Sequence, residues 1–125
     1  MKDPKLAGVV VYEIAGPLFF GAAEKAVSTL APVAGKAQVV VLQMDAVPVM
    51  DMTGLVALES AISKLQKKGT YVVLAGVQGQ PRTVLERAGM REEAGKLSIC
   101  ANGEEALVVA RLYVGLADAP VQGSA

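Results

Sequence analysis

This 125-residue chain predicts an α/β sandwich: a mixed β-sheet of four to five strands carrying about four helices. Three observations support that prediction. β-branched and aliphatic runs at 9–14, 37–42 and 70–75 have the composition of strands. The second and third are so continuously apolar that both of their faces must be covered. Between the runs, apolar residues recur at helical spacing.

The elements follow in order. Val9-Val10-Val11-Tyr12-Glu13-Ile14 is the first strand, and Ala15-Gly16-Pro17 is a turn, since glycine relaxes φ and proline fixes it. Leu18-Phe19-Phe20 is a second, short extended run. The Gly16-Pro17 turn is too tight for a crossover, so these two strands should pair antiparallel, which is why the sheet is expected to be mixed. From Gly21 the texture is helical: Ala23, Val27, Leu30 and Ala34 share a face, Glu24 suits the first turn, and Gly35 closes the helix. A strand follows at 38–44. Leu55, Leu58, Ile62 and Leu65 form the stripe of a second helix, with Lys64, Lys67 and Lys68 at its C-terminal end and Gly69 as its stop. After the strand at 70–75, residues 76–80 form a loop. Pro81 opens a short helix with Val84, Leu85 and Ala88, ended by Gly89. Residues 96–100 form a last edge strand. Asn102-Gly103-Glu104-Glu105 resembles a capping box for a final helix running to about Val114, and 117–125 is expected to be a flexible tail. One domain is expected over 1–125, with its core at about 8–114, no internal repeat and enough length to bury a core without staples.

Composition narrows the function. Twelve basic and twelve acidic residues give a net charge of +0, so no strong field invites nucleic acid. The single Cys100 excludes an internal disulfide and fits a reducing compartment. The longest apolar stretch, 6–23, is interrupted by Glu13, Gly16, Pro17 and Gly21 and does not read as a membrane span. Met1-Lys2-Asp3-Pro4 is a poor signal-peptide start. The expectation is an intracellular protein, or an intracellular piece of something larger.

Catalysis is not expected. With no histidine, neither a Ser-His-Asp triad nor a histidine metal site assembles, and one cysteine does not build a thiolate zinc site. Asp45 and Asp51 together suit Mg²⁺, but helix caps explain them more simply, so no metal and no cofactor are expected. The glycines of 76–80 lack the Walker lysine and the dinucleotide-binding spacing. Arg82, Arg87 and Arg91 read as a solvated helix face.

The most informative stretch is Asp51-Met52-Thr53-Gly54-Leu55, where a buried strand hands over to a helix. Asp51 is placed to cap the free N–H groups, Thr53 to sit in the first turn with its hydroxyl outward, and Gly54 to admit a neighbouring backbone. Two readings stay open for Thr53: an ordinary first-turn residue, or a phosphoacceptor whose modification adds nearly two negative charges near Asp51 and Asp45.

Two motifs resemble the STAS domain, shared by sulfate transporters and anti-sigma factor antagonists. Gly16-Pro17-Leu18-Phe19-Phe20-Gly21-Ala22-Ala23-Glu24 is similar to the stretch that begins the cytoplasmic STAS domain of SulP anion transporters. Met50-Asp51-Met52-Thr53-Gly54-Leu55 resembles the D-[ST]-[ST]-G-L signature of the wider family, departing from it at Met52. The resemblance covers about Gly8 to Leu112. It implies a STAS-type, anti-sigma factor antagonist-like fold and a regulatory role for the cytoplasmic face of an inner-membrane transporter. The partner it implies is the transporter's own transmembrane domain, with a cytosolic regulatory protein or kinase as a further one. Gly16, Pro17, Leu18, Phe19 and Phe20 are then a docking surface, one phenylalanine facing the core and the other exposed. Asp45, Asp51, Met52, Thr53, Gly54 and Leu55 are the signature loop and cap, with Val49 and Met50 buried behind them. The alternatives are a soluble antagonist switched by phosphorylation of Thr53 and, more weakly, a nucleotide- or anion-binding module.

Overall fold

The computed structural model describes residues 8–34 and 37–118. Four strands and four helices alternate along it: β1 (Val9–Ala15), α1 (Phe20–Ala34), β2 (Val39–Ala46), α2 (Met52–Lys67), β3 (Tyr71–Ala75), α3 (Gly79–Arg87), β4 (Leu97–Cys100) and α4 (Gly103–Asp118). The sheet has the order β1-β2-β3-β4.

Among the described residues all three strand pairings are parallel, which corrects the expectation that 18–20 would pair antiparallel with β1 in a mixed sheet. The difference lies in residues 18–20. Gly16 does turn the chain, with φ at +86°, but Pro17 and Leu18 do not fold back along β1. Leu18 makes one parallel bridge, to Met50, and Phe20 already begins α1. The first connection is therefore a helical crossover, and a crossover returns the chain parallel. Because α1 begins at Phe20, Glu24 falls beyond its first turn.

The other boundaries move less. α3 begins two residues before Pro81, where a missing N–H costs nothing because first-turn amides have no intrahelical partner. At α4 the Asn102 side chain accepts from the Glu105 N–H at 2.8 Å, and Glu105 reaches back to the Ala101 N–H at 2.8 Å, one residue beyond the usual box partner. α4 continues through Asp118, so 117 and 118 are helical where a tail was expected. The predicted helix stop at Gly35 and the tail at 119–125 lie outside the described residues.

Period-two alternation in the strands splits the core in two. Val40, Leu42, Met44, Val72, Leu74 and Leu97 face α1, α2 and α3, meeting Ala23, Leu30, Leu55, Leu58, Ile62, Leu65 and Leu85. Val39, Val41, Tyr71, Val73, Ala75 and Cys100 face α4. Ala106 and Ala110 are fully buried there, and their small side chains let α4 lie close on the sheet. The Tyr71 and Tyr113 rings stack across this second interface, centroids 4.3 Å apart and 9° from parallel, and the Tyr71 hydroxyl bonds the Ser98 hydroxyl. Buried Thr70 is satisfied by donating to the Ala37 carbonyl at 3.1 Å. Strand order equals chain order, so the three crossover helices share one face and the strand sequence never reverses. Among the described residues the sheet therefore shows no reversal point of the kind at which open α/β sheets bind nucleotides.

Candidate functional site

The carboxyl ends of β1 and β2 and the start of α2 are built as one unit. The Gly16 N–H donates to the Ala46 carbonyl at 2.9 Å, the Leu18 N–H to the Val49 carbonyl at 2.9 Å, and the Asp51 N–H to the Leu18 carbonyl at 3.4 Å. These bonds fasten the two motifs to each other. Gly54 makes the contact possible: a Cβ there would overlap the Leu18 carbonyl. Its φ is not positive, so the glycine serves close approach and not a left-handed backbone.

α2 starts with Asp51 as its N-cap, in extended conformation (φ −104°, ψ 179°). Asp51 Oδ1 accepts from the Gly54 N–H at 2.8 Å and from the Thr53 hydroxyl at 2.7 Å. The Thr53 bond foremost, and then the Gly54 amide, hold the Asp51 carboxyl below its ordinary pKa. The Thr53 side chain is exposed, as its outward placement required, but its hydroxyl is engaged by the cap.

A third element closes the unit from behind. The Gln80 side chain, at the start of α3, accepts from the Met50 N–H at 2.8 Å and donates to the Met50 carbonyl at 2.9 Å. Sequence reasoning missed this residue, because a glutamine in a Gly-rich loop carries no periodic or motif signal. Gly76, with φ +75°, lies against the end of β2: a Cβ on it would fall 2.9 Å from that of Asp45.

The predicted residues divide by accessibility. Asp45, Asp51, Met52 and Thr53 are exposed, whereas Gly54 and Leu55 are buried. Met50 is buried and Val49 half-buried. In the other motif, Pro17 and Phe19 are exposed and Gly16 is half-buried. Leu18 is only 1% exposed, so it belongs to the core and not to the predicted docking surface. The side chain of Phe20 lies outside the described residues. Three large apolar side chains of this unit are exposed: Met52 at 65%, Val56 one helical turn on at 58%, and Phe19, the exposed phenylalanine that was expected, at 46%. Large apolar side chains around a fixed helix start make a surface suited to protein contact.

The chain belongs to the STAS domain family, whose model matches residues 2–106. It is 32% identical over 112 residues to the bicarbonate transporter BicA of Picosynechococcus sp., an alignment covering 88% of this chain and 20% of that protein. Among solved structures, a sulfate transporter family protein from Wolinella succinogenes superimposes with a TM-score of 0.75 at 35% identity, covering 86% of this chain and 88% of that one. The SulP transporter STAS domain from Vibrio cholerae gives a TM-score of 0.73 at 26% identity, covering 93% and 88%. The anti-sigma factor antagonist SpoIIAA shares the fold, with a TM-score of 0.61 at 15% identity over 90% of this chain and 93% of that one. The chain spans about a fifth of the length of the curated transporters it matches. No helix among its described residues is long and apolar enough to cross a membrane.

Proposed function

We propose that this chain is the cytoplasmic regulatory and interaction domain of a SulP-type sulfate or other anion transporter, acting through protein contacts and not through catalysis. On this reading it is one domain, with its core at about 8–114, placed at the inner face of the membrane beside the transporter's transmembrane domain. The observation that carries the proposal is the exposed apolar set Phe19, Met52 and Val56 around a rigidly held helix start. Its polar groups are already spent on capping, which suits a docking face better than a reacting centre. Similarity to transporter STAS domains across most of the chain supports the same reading.

Thr53 is the regulatory position within this proposal. A phosphate there abolishes the hydroxyl's donation to Asp51 and sets two anions side by side, repelling an acidic partner without removing the Gly54 cap bond. In the intact transporter, Thr53→Glu is expected to change transport or partner affinity with little change in domain stability. Unchanged transport and affinity in both Thr53→Glu and Thr53→Ala would remove Thr53 from the proposal.

The accessible Thr53 hydroxyl also favours a second reading, a free-standing antagonist phosphorylated by an anti-sigma kinase. Fractionation of native cells with an antibody to this domain separates the two. A membrane band far above 12.9 kDa supports the transporter. A soluble band near that mass, with phosphate on Thr53 after incubation with the kinase, supports the antagonist.

A further inference from the structure

A second surface feature lies at the other end of α2, roughly 20 Å from Thr53 by the helical rise. Val27 and Leu30 of α1 and the last two turns of α2 line a groove of about 260 Å³. Val27, Leu30, Ala61 and Leu65 line its floor, and Lys64, Lys67 and Lys68 form its rim. None of the three lysines makes an ion pair among the described residues, where the one salt bridge is Arg82–Glu86 on α3. Lysines in a last helical turn complement the helix dipole, which accounts for their placement at the helix end but not for the apolar trough between them. Their aliphatic stems extend that trough while the ammonium groups stay in water.

We infer that this groove binds a single-chain fatty carboxylate, the aliphatic chain lying along Val27, Leu30, Ala61 and Leu65 and the carboxylate meeting Lys64, Lys67 and Lys68. Shape selects this occupant. A bilayer surface needs apolar side chains that protrude, whereas here the apolar surface is recessed and the lysines stand proud. A partner helix inserts several large side chains, yet the groove is smaller than the roughly 300–1,000 Å³ typical of pockets for drug-sized ligands. The residues from Ala61 to Lys68 extend about 10 Å at 1.5 Å per residue, room for one extended chain of medium length. Charge selects the head group, since the rim is cationic in a chain whose net charge is +0. The groove is independent of the transporter reading and holds equally for a free-standing STAS protein.

The test uses the full chain and decanoate below its micellar concentration, followed by amide NMR and titration calorimetry. One decanoate per chain is expected, with shifts centred on Val27, Leu30, Ala61, Leu65 and Lys68. Decyltrimethylammonium, with the same tail and the opposite charge, is expected to bind at least tenfold more weakly, as is hexanoate. Lys64→Gln/Lys67→Gln/Lys68→Gln should weaken decanoate at least tenfold and abolish the head-group preference. Val27→Phe, filling the groove from its half-buried side, should abolish binding while the NMR spectrum stays folded. Flat titrations, equal binding of both head groups, an unaffected lysine variant, or shifts centred on Met52 and Val56 would each overturn the inference. So would co-sedimentation with phosphatidylglycerol vesicles in the absence of decanoate binding, which would assign the lysines to a membrane surface.

Discussion

Gln80 grips the backbone of Met50 with both ends of its amide, across 30 residues of sequence. The contact joins the start of α3 to the residue preceding the α2 cap, so a surface glutamine sets the position of the signature loop. Gln80→Ala leaves both Met50 backbone groups without their partner and is expected to cost about 1–3 kcal/mol in urea unfolding. Hydrogen exchange at the Met50 amide should accelerate more than at Leu42 or Leu74, because the change is local. Uniform acceleration across the sheet would show that Gln80 acts on global stability alone.

Gly54→Ala is expected to be the most damaging small substitution in this region. The added methyl meets a backbone carbonyl, that of Leu18, which does not swing aside as a side chain does. Relief requires α2 to separate from the 16–20 segment, at a cost of about 3 kcal/mol or more. Gly21→Ala, on a helix position with open space, is the control and should be neutral or stabilising. Equal effects of the two substitutions would refute the close-approach account.

The pH dependence of the cap follows from the direction of the Asp51 shift. Its folded-state pKa lies below the ordinary 3.8, so its contribution to stability is fully present above that value and is lost as pH falls through the lower folded-state midpoint. Carbon-detected NMR titration should therefore give Asp51 a midpoint below 3.8. Thr53→Val removes the largest cause and should move that midpoint upward, while the Gly54 amide bond keeps it from returning fully. An unmoved midpoint in Thr53→Val would mean that the hydroxyl does not bond the carboxylate in solution.

Cys100 should be a slow thiol. Burial beneath α4 pushes its pKa up, and the carboxylates of Glu105 and Glu92 push it further. Alkylation by iodoacetamide at pH 8 is expected to be more than about tenfold slower than in the urea-unfolded chain. Glu105→Gln removes a negative charge but keeps an acceptor for the Ala101 N–H, and should raise the rate in the folded protein. A native rate equal to the unfolded one would contradict the burial.

The sequence made the elements legible where one physical signal dominated. The runs around Val39–Val41 and Val72–Leu74 are apolar on successive residues because helices cover both faces of their strands, and that covering is what the structure shows. The stripe Leu55, Leu58, Ile62 and Leu65 placed α2 correctly, and Asp51 was recognisable as its cap. The parallel first pairing was not legible. Leu18-Phe19-Phe20 has strand composition, but its local preference was overridden once Leu18 became a core residue hydrogen-bonded to Val49. The same tertiary bond is why a residue placed on a predicted docking surface is inaccessible. The Gln80 clamp and the groove beside Lys64, Lys67 and Lys68 stayed hidden for another reason: each joins residues distant in sequence, and periodicity within one helix does not say which neighbour its face meets.

α4 alone covers its face of the sheet among the described residues, which has a consequence for biosynthesis. The strands are complete once Cys100 has been made, but Val39, Val41, Val73 and Ala75 stay wet until residues 103–118 leave the ribosome. A nascent chain stalled before Gly103 presents a flat aliphatic surface to its neighbours, the kind of surface that chaperones are recruited to shield. Burial of this face of the sheet is thus timed by the synthesis of α4. A frameshift or stop codon within residues 103–118 should yield an aggregating product even though it leaves every residue of the signature loop intact.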